Sequence, residues 1–327
     1  MKVVVMFSQS PSDIRYVLSI YEQYKNKFKV KIYIIGVRGN YIFLKNILPK
    51  VDIEYINTPT MKQIFFNPFH LIRIRILKRK ICLENVDNIV YFFSRYVDYY
   101  TAFLIDSLKK QNIVYYIDSV YSFLDVNISY AKNINVITIF KSIYLFFIFF
   151  KKSVFINHSG RQIYYYQSKS LINNKSISID NSIYKEYSFR PKFIYSKKPK
   201  LIFFESGGRT GYFSDYEKNL ERVLSVISKK FTVYIKPHPT HNYSKIADKF
   251  NILLIEKNTP SEFLNLTEFS VVLGIESASI ALVNHDNKIS VIDAFVFRDI
   301  LIKDDFKRYL NDLSPTKIRY IDDIEKI

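Results

Sequence analysis

The chain of 327 residues carries 48 Lys and Arg against 30 Asp and Glu, a net charge of +18, with 48% hydrophobic residues and a single cysteine, Cys82. That length exceeds one ordinary core and suits two domains, while one cysteine excludes a disulfide framework and a Cys-based zinc site and fits a reducing, cytoplasmic setting. The positive balance favours anionic partners, whether nucleic acid, anionic lipid or a nucleotide-linked substrate, without choosing among them.

The amino-terminal "MKVVVMFSQSPSD" is apolar only as far as Phe7, too short a run for an export signal, and is expected to be a strand. The polar residues after it, Ser8, Gln9 and Ser10, precede a helix starting near Pro11 and either line a ligand site or cap that helix. Further strands are expected at "KVKIYIIG", "NIVYFF", "NIVYYID" and "SVFIN", spaced by helical patterns. Such alternation is the signature of a parallel α/β sheet. Within this stretch "LIRIRILKRK", Leu71 to Lys80, reads as a solvated helix face or as a dock on anionic lipid. Asp118 in "YYIDSVYSF" closes a strand, where a carboxylate faces a ligand as a base or caps a turn. The most apolar run, "SIYLFFIFF" from Ser142 to Phe150, falls short of the roughly 20 residues that cross a bilayer and reads as a buried helix or a membrane-surface contact.

A basic, proline-bearing stretch without a clean period, "PKFIYSKKPK" from Pro191 to Lys200, marks a linker, dividing the chain into domains 1–193 and 194–327. The α/β pattern then restarts with "LIFFES", "FTVYIK", "NILLIE", "FSVVLG" and "KISVID". After the first of these strands, "FFESGGRTGYFSD" holds three of the seven glycines, with Gly207 and Gly208 free to bring backbone amides against a ligand. Glu205 and Asp215 in the same segment are two further candidate bases. Ser214 and Glu217 have the spacing of a capping box ahead of Leu220, Val223, Leu224 and Ile227, which recur with helical period.

In "FTVYIKPHPTH" the strand runs into Lys236, with Pro237 and Pro239 on either side of His238. Prolines fix φ and remove backbone donors, so the loop is rigid, and strand carboxyl ends are where ligands collect in open α/β sheets. An imidazole there can give a proton to a leaving phosphate and Lys236 can neutralise phosphate charge; the alternative is a histidine bonded to loop carbonyls. His241 is read as a bystander. Farther on, "VVLGIESASIAL" ends a strand at Gly274, and Glu276, Ser277 and Ser279 open the next helix, as phosphate binders or as plain caps. The sequence carries no Walker loop, no dinucleotide glycine fingerprint and no nucleic-acid motif.

The Lys-Pro-His-Pro loop with two serines some forty residues on resembles the His-Pro and Ser motifs of bacterial sialyltransferases, in particular the lipooligosaccharide and capsule type of glycosyltransferase family 52. The likeness covers Phe203 to Asp293 best, and the amino-terminal half through "SQSP" and "YIDSVYSF". It implies a GT-B-like architecture, two Rossmann-like domains with parallel sheets facing a central cleft. It also implies inverting, metal-independent transfer of sialic acid from CMP-sialic acid to a sugar hydroxyl, with no cofactor. His238 would match the acid that assists CMP departure, and Ser277 and Ser279 the phosphate-holding serines, here separated by Ala278. The acidic element expected to supply the base is reduced to Asp118, the first choice, with Glu205 and Asp215 behind it. Implied partners are the nucleotide-sugar donor and a glycan or lipid-linked glycan acceptor; peripheral contact with the inner membrane face and a homodimer are compatible with this reading. A transferase using another donor, such as a CDP-polyol phosphate, and a non-catalytic basic protein binding membrane or polysaccharide are the alternatives.

Overall fold

The computed structural model describes residues 3–8, 10–57, 179–207, 212–239 and 243–327, strands at 89–92, 112–115, 129–130, 154–158 and 161–165, and helical positions 72, 76 and 79. Asp118, Gln9, Gly208, Cys82, His241 and the run from Ser142 to Phe150 lie outside the described residues. The chain divides into two compact units, Met1–Asp180 and Asn181–Ile327.

In the first unit, β1 (Val3–Ser8), β2 (Lys29–Ile35), β3 (Asp52–Ile56), β4 (Ile89–Phe92) and β5 (Asn112–Tyr115) form one parallel sheet in the order β3-β2-β1-β4-β5. Helices α1 (Ile14–Tyr24) and α2 (Arg38–Ile47) follow β1 and β2. The central strand is a continuous buried apolar run, as a strand covered on both faces requires. A lysine in the middle of β2 fits because Lys31 pairs across the ladder with Asp52 (3.5 Å) and Glu54 (3.6 Å) on β3. The strand expected at "SVFIN" is present as β7 (Val154–His158), but not in this sheet: it pairs antiparallel with β6 (Ser129–Tyr130) and β8 (Arg161–Tyr165). A strand's own composition does not choose its partners; the adjacent β8 supplied the nearer ladder.

The second unit opens with α3 (Ser182–Glu186) and a segment that packs on its own sheet, with Phe193 edge-on to Tyr234 and Phe269 at 5.5 and 5.3 Å. Its main sheet is built from β9 (Lys200–Phe204), β11 (Thr232–Lys236), β12 (Leu253–Leu254), β13 (Phe269–Gly274), β14 (Lys288–Ser290) and β16 (Ile318–Tyr320). All pairs are parallel, in the order β12-β11-β9-β13-β14-β16. Alternate residues of β9 feed two cores. Leu201 and Phe203 meet the buried stripe Leu220, Val223, Leu224 and Ile227 of α4 (Tyr216–Lys230). Ile202 and Phe204 meet Ile280 and Ala281 of α5 (Ala278–Leu282) and Leu310 of α6 (Ile300–Leu313). A buried lysine closes that second layer: Lys288 Nζ donates to Ala281 O (3.3 Å), Val283 O (3.4 Å) and Ser314 Oγ, and burial pushes its pKa down to about 8.

The expected capping box does not form. Ser214 is drawn into β10 (Phe213–Ser214), which pairs with β15 (Val296–Phe297), and α4 starts after Asp215, held at φ 51°. Aspartate tolerates that left-handed turn better than most residues. Glu217 is thereby released from the cap and bonds Ser244 Oγ instead.

Candidate functional site

The second sheet reverses its strand order between β9 and β13, the position where open α/β sheets hold ligands beyond the strand carboxyl ends. Three segments end there: Glu205-Ser206-Gly207 after β9, Pro237-His238-Pro239 after β11, and Ile275-Glu276-Ser277 after β13. The sequence pairs the second and third of them and leaves the glycine-bearing segment apart. Parallel pairing of β9 with both neighbours is what makes them one cluster.

His238 is half-buried and packs on Gly207 so closely that a Cβ on Gly207 would lie 2.8 Å from Nε2 and 3.0 Å from Cδ2 and Cε1. A side chain at this position would have to displace the His238 ring; the constraint is space, not backbone strain. On the other side of β9, Ser206, fully buried, is hydrogen-bonded to Glu276 Oε1 and links the β9 and β13 turns. The β13 turn is itself fixed from β14, where Ser290 Oγ donates to Ile275 O (2.6 Å) and Val291 N donates to Gly274 O (2.9 Å). α5 packs against the end of the strand, where Gly274 lies within ordinary contact range of the Ile280 side chain. Ser277 caps α5, its Oγ accepting the Ser279 N–H at 3.3 Å, and both serines remain half-exposed.

Lys236, expected to face a phosphate, is buried, and its ammonium donates to the carbonyls of Lys257 (2.8 Å) and Pro237 (3.3 Å). Loss of solvent outweighs the attraction of Glu262 and Glu256 and pushes its pKa down to about 7. It ties the His238 loop to the turn after β12. Of the carboxylates, Glu205 is buried with Oε1 accepting the Ser244 N–H (2.9 Å), and Asp215 is exposed at the start of α4. Asp118 lies outside the described residues. In the first unit, Ser8 and Ser10 occupy the equivalent reversal after β1, and both are engaged by α2: Asn40 Nδ2 donates to Ser8 Oγ (3.1 Å) and Ser10 O (2.7 Å).

Ser206, Ser244 and Asn40 were not found by sequence reading. Their partners lie 70, 39 and 32 positions away, beyond any local motif. Among the described residues no group of three or more His, Cys, Asp or Glu side chains is placed to hold a metal ion, and no helix is long and apolar enough to cross a membrane.

No protein-family model and no curated protein matches the chain. Solved structures do. A Photobacterium 2,6-sialyltransferase in complex with CMP and lactose is similar over 98% of this chain and 78% of that one, at 10% identity and a TM-score of 0.49. The Methanocaldococcus jannaschii UDP-GlcNAc 2-epimerase, in complex with UDP-GlcNAc and UDP, is similar over 97% and 94%, at 12% identity and 0.48. Acinetobacter baumannii MurG is similar over 98% and 86%, at 12% identity and 0.38. At such scores and identities, substrate and reaction have to be read from this chain's own residues.

Proposed function

We propose that the chain is a glycosyltransferase of GT-B architecture, inverting and metal-independent, that moves sialic acid from CMP-sialic acid to a terminal sugar hydroxyl of a capsule or lipooligosaccharide precursor. The observation that carries this reading is the seating of His238. Two prolines and Gly207 hold its imidazole at the strand reversal of a parallel sheet, beside the Ser206–Glu276 pair and the half-exposed Ser277 and Ser279.

In this reading the base, Asp118, takes the proton of the acceptor hydroxyl. The freed oxygen attacks the anomeric carbon, the bond from that carbon to the phosphate oxygen breaks, and His238 gives that oxygen a proton as CMP leaves. Glu276 offers a carboxylate to donor hydroxyls, and Ser277 and Ser279 offer hydroxyls to the phosphate. The net charge of +18 raises the local concentration of an anionic donor and of a lipid-phosphate acceptor at the inner membrane face.

Incubation with CMP-sialic acid and a panel of galactosides and sialosides tests it, with mass gain of the acceptor as readout. Unchanged acceptors throughout, with melting temperature raised by UDP or GDP and not by CMP, would transfer the reading to another nucleotide-activated donor.

A further inference from the structure

We propose that Glu205 is a positioning residue that clamps both limbs of the loop bearing His238. This rests on the reading of His238 as the proton donor. The outgoing limb leaves the sheet at Lys236, whose carbonyl accepts the Glu205 N–H at 3.2 Å. The returning limb arrives at Ser244, whose N–H donates to Glu205 Oε1 at 2.9 Å. Between these contacts lie residues 237–243, with His238 near the first of them. One residue at the end of β9 therefore fixes the loop at both feet, through backbone on one side and side chain on the other.

The returning foot is held a second time. Ser244 Oγ is bonded to Glu217 on α4 and accepts the Ile246 N–H (3.4 Å), opening the short helical turn Lys245–Lys249. Two residues beyond Glu205, Gly207 touches the His238 ring. The order Glu205-Ser206-Gly207 thus acts as a template: clamp, link to Glu276, and seat for the imidazole. A general base has to reach the acceptor hydroxyl. Glu205 is 1% exposed and one of its carboxylate oxygens accepts from the chain's own backbone, an arrangement suited to holding a loop. Displacing a reacting group by about 1 Å can cost about 10²-fold in rate, so a loosened clamp would act on turnover without touching donor contacts.

The test uses the full-length chain and the variants Glu205→Gln and Glu205→Ala, with amide hydrogen exchange followed by mass spectrometry and steady-state kinetics. Glutamine keeps an oxygen acceptor; alanine does not. Glu205→Gln is expected to retain exchange protection over residues 243–247 and turnover within about threefold of wild type. Glu205→Ala is expected to lose that protection while β9 and β11 keep theirs, with kcat about 10²-fold lower and the donor KM changed by less than about threefold. A Glu205→Gln variant as slow as Glu205→Ala would overturn the proposal, because that is the mark of a base. Unchanged exchange over 243–247 in Glu205→Ala would overturn it as well. Should Glu205→Ala not fold, Glu205→Asp replaces it, being too short to span the contact while keeping the charge. If wild type transfers nothing, the reading of function fails and the exchange measurements still decide the clamp.

Discussion

Replacing Lys236 by methionine isolates the consequence of burying an ammonium beneath the His238 loop. Burial lowers its pKa from 10.5 to about 7. At about 1.4 kcal/mol for each tenfold loss of proton affinity, this amounts to about 5 kcal/mol of disfavoured charge. The folded-state value is depressed, so the sign follows directly. Below about pH 7 both folded and unfolded chains hold the proton, and the full cost is present. Between about pH 7 and 10.5 the unfolded chain holds more protons than the folded one, and stability rises with pH by up to about 1.4 kcal/mol per unit. Over pH 7.5 to 9.5 wild type should gain about 2 to 3 kcal/mol relative to Lys236→Met. The offset at a single pH also contains the lost bonds to Lys257 O and Pro237 O, whereas the slope belongs to the ammonium alone. Lys288, also depressed, is present in both proteins and cancels. Urea unfolding followed by circular dichroism at pH 7.5, 8.5 and 9.5 measures the difference. Parallel stability curves for the two proteins would refute the reasoning.

Three further outcomes are expected. His238→Ala should lower turnover by about 10² to 10⁴, with the CMP-induced rise in melting temperature retained. Gly207→Ala puts a methyl 2.8 Å from His238 Nε2 and has to push the ring aside; kcat should fall by about 10-fold to 10²-fold while the urea midpoint stays within error of wild type. Leu224→Ala opens a cavity between α4 and the sheet, where the side chain is fully buried, and should cost about 2–5 kcal/mol in urea unfolding without changing the donor KM.

The strands β1, β2, β9, β11 and β13 were legible because a parallel strand covered on both faces must be a nearly unbroken apolar run. The edge strands β3, "DIEYI", and β16, "IRY", were not, since an edge tolerates charge and brevity. The Ser214–Glu217 box shows a local motif losing to a ladder, with β15 arriving from more than eighty residues away to claim Ser214. His238 was conspicuous because two prolines bracket it in sequence. Glu205 was noticed for its carboxylate, yet its contact with Ser244 spans 39 positions, and no spacing rule reaches that far. Lys236 is expected from sequence to neutralise a phosphate because its position at a strand end is visible there and its burial is not.

The strand order has a bearing on how the chain comes to be made. Synthesis delivers β9 first, then β11 on one flank, and the other flank stays open until β13 has emerged. During that interval a ribosome-bound chain presents one open edge of its central strand, "KLIFF", the kind of edge that chaperones cover or that aggregates. The strand reversal between β9 and β13 does not exist before Gly274 is translated, so whatever the second unit gains from closing its sheet there comes only when the last two strands of the sheet, β14 and β16, remain to be added.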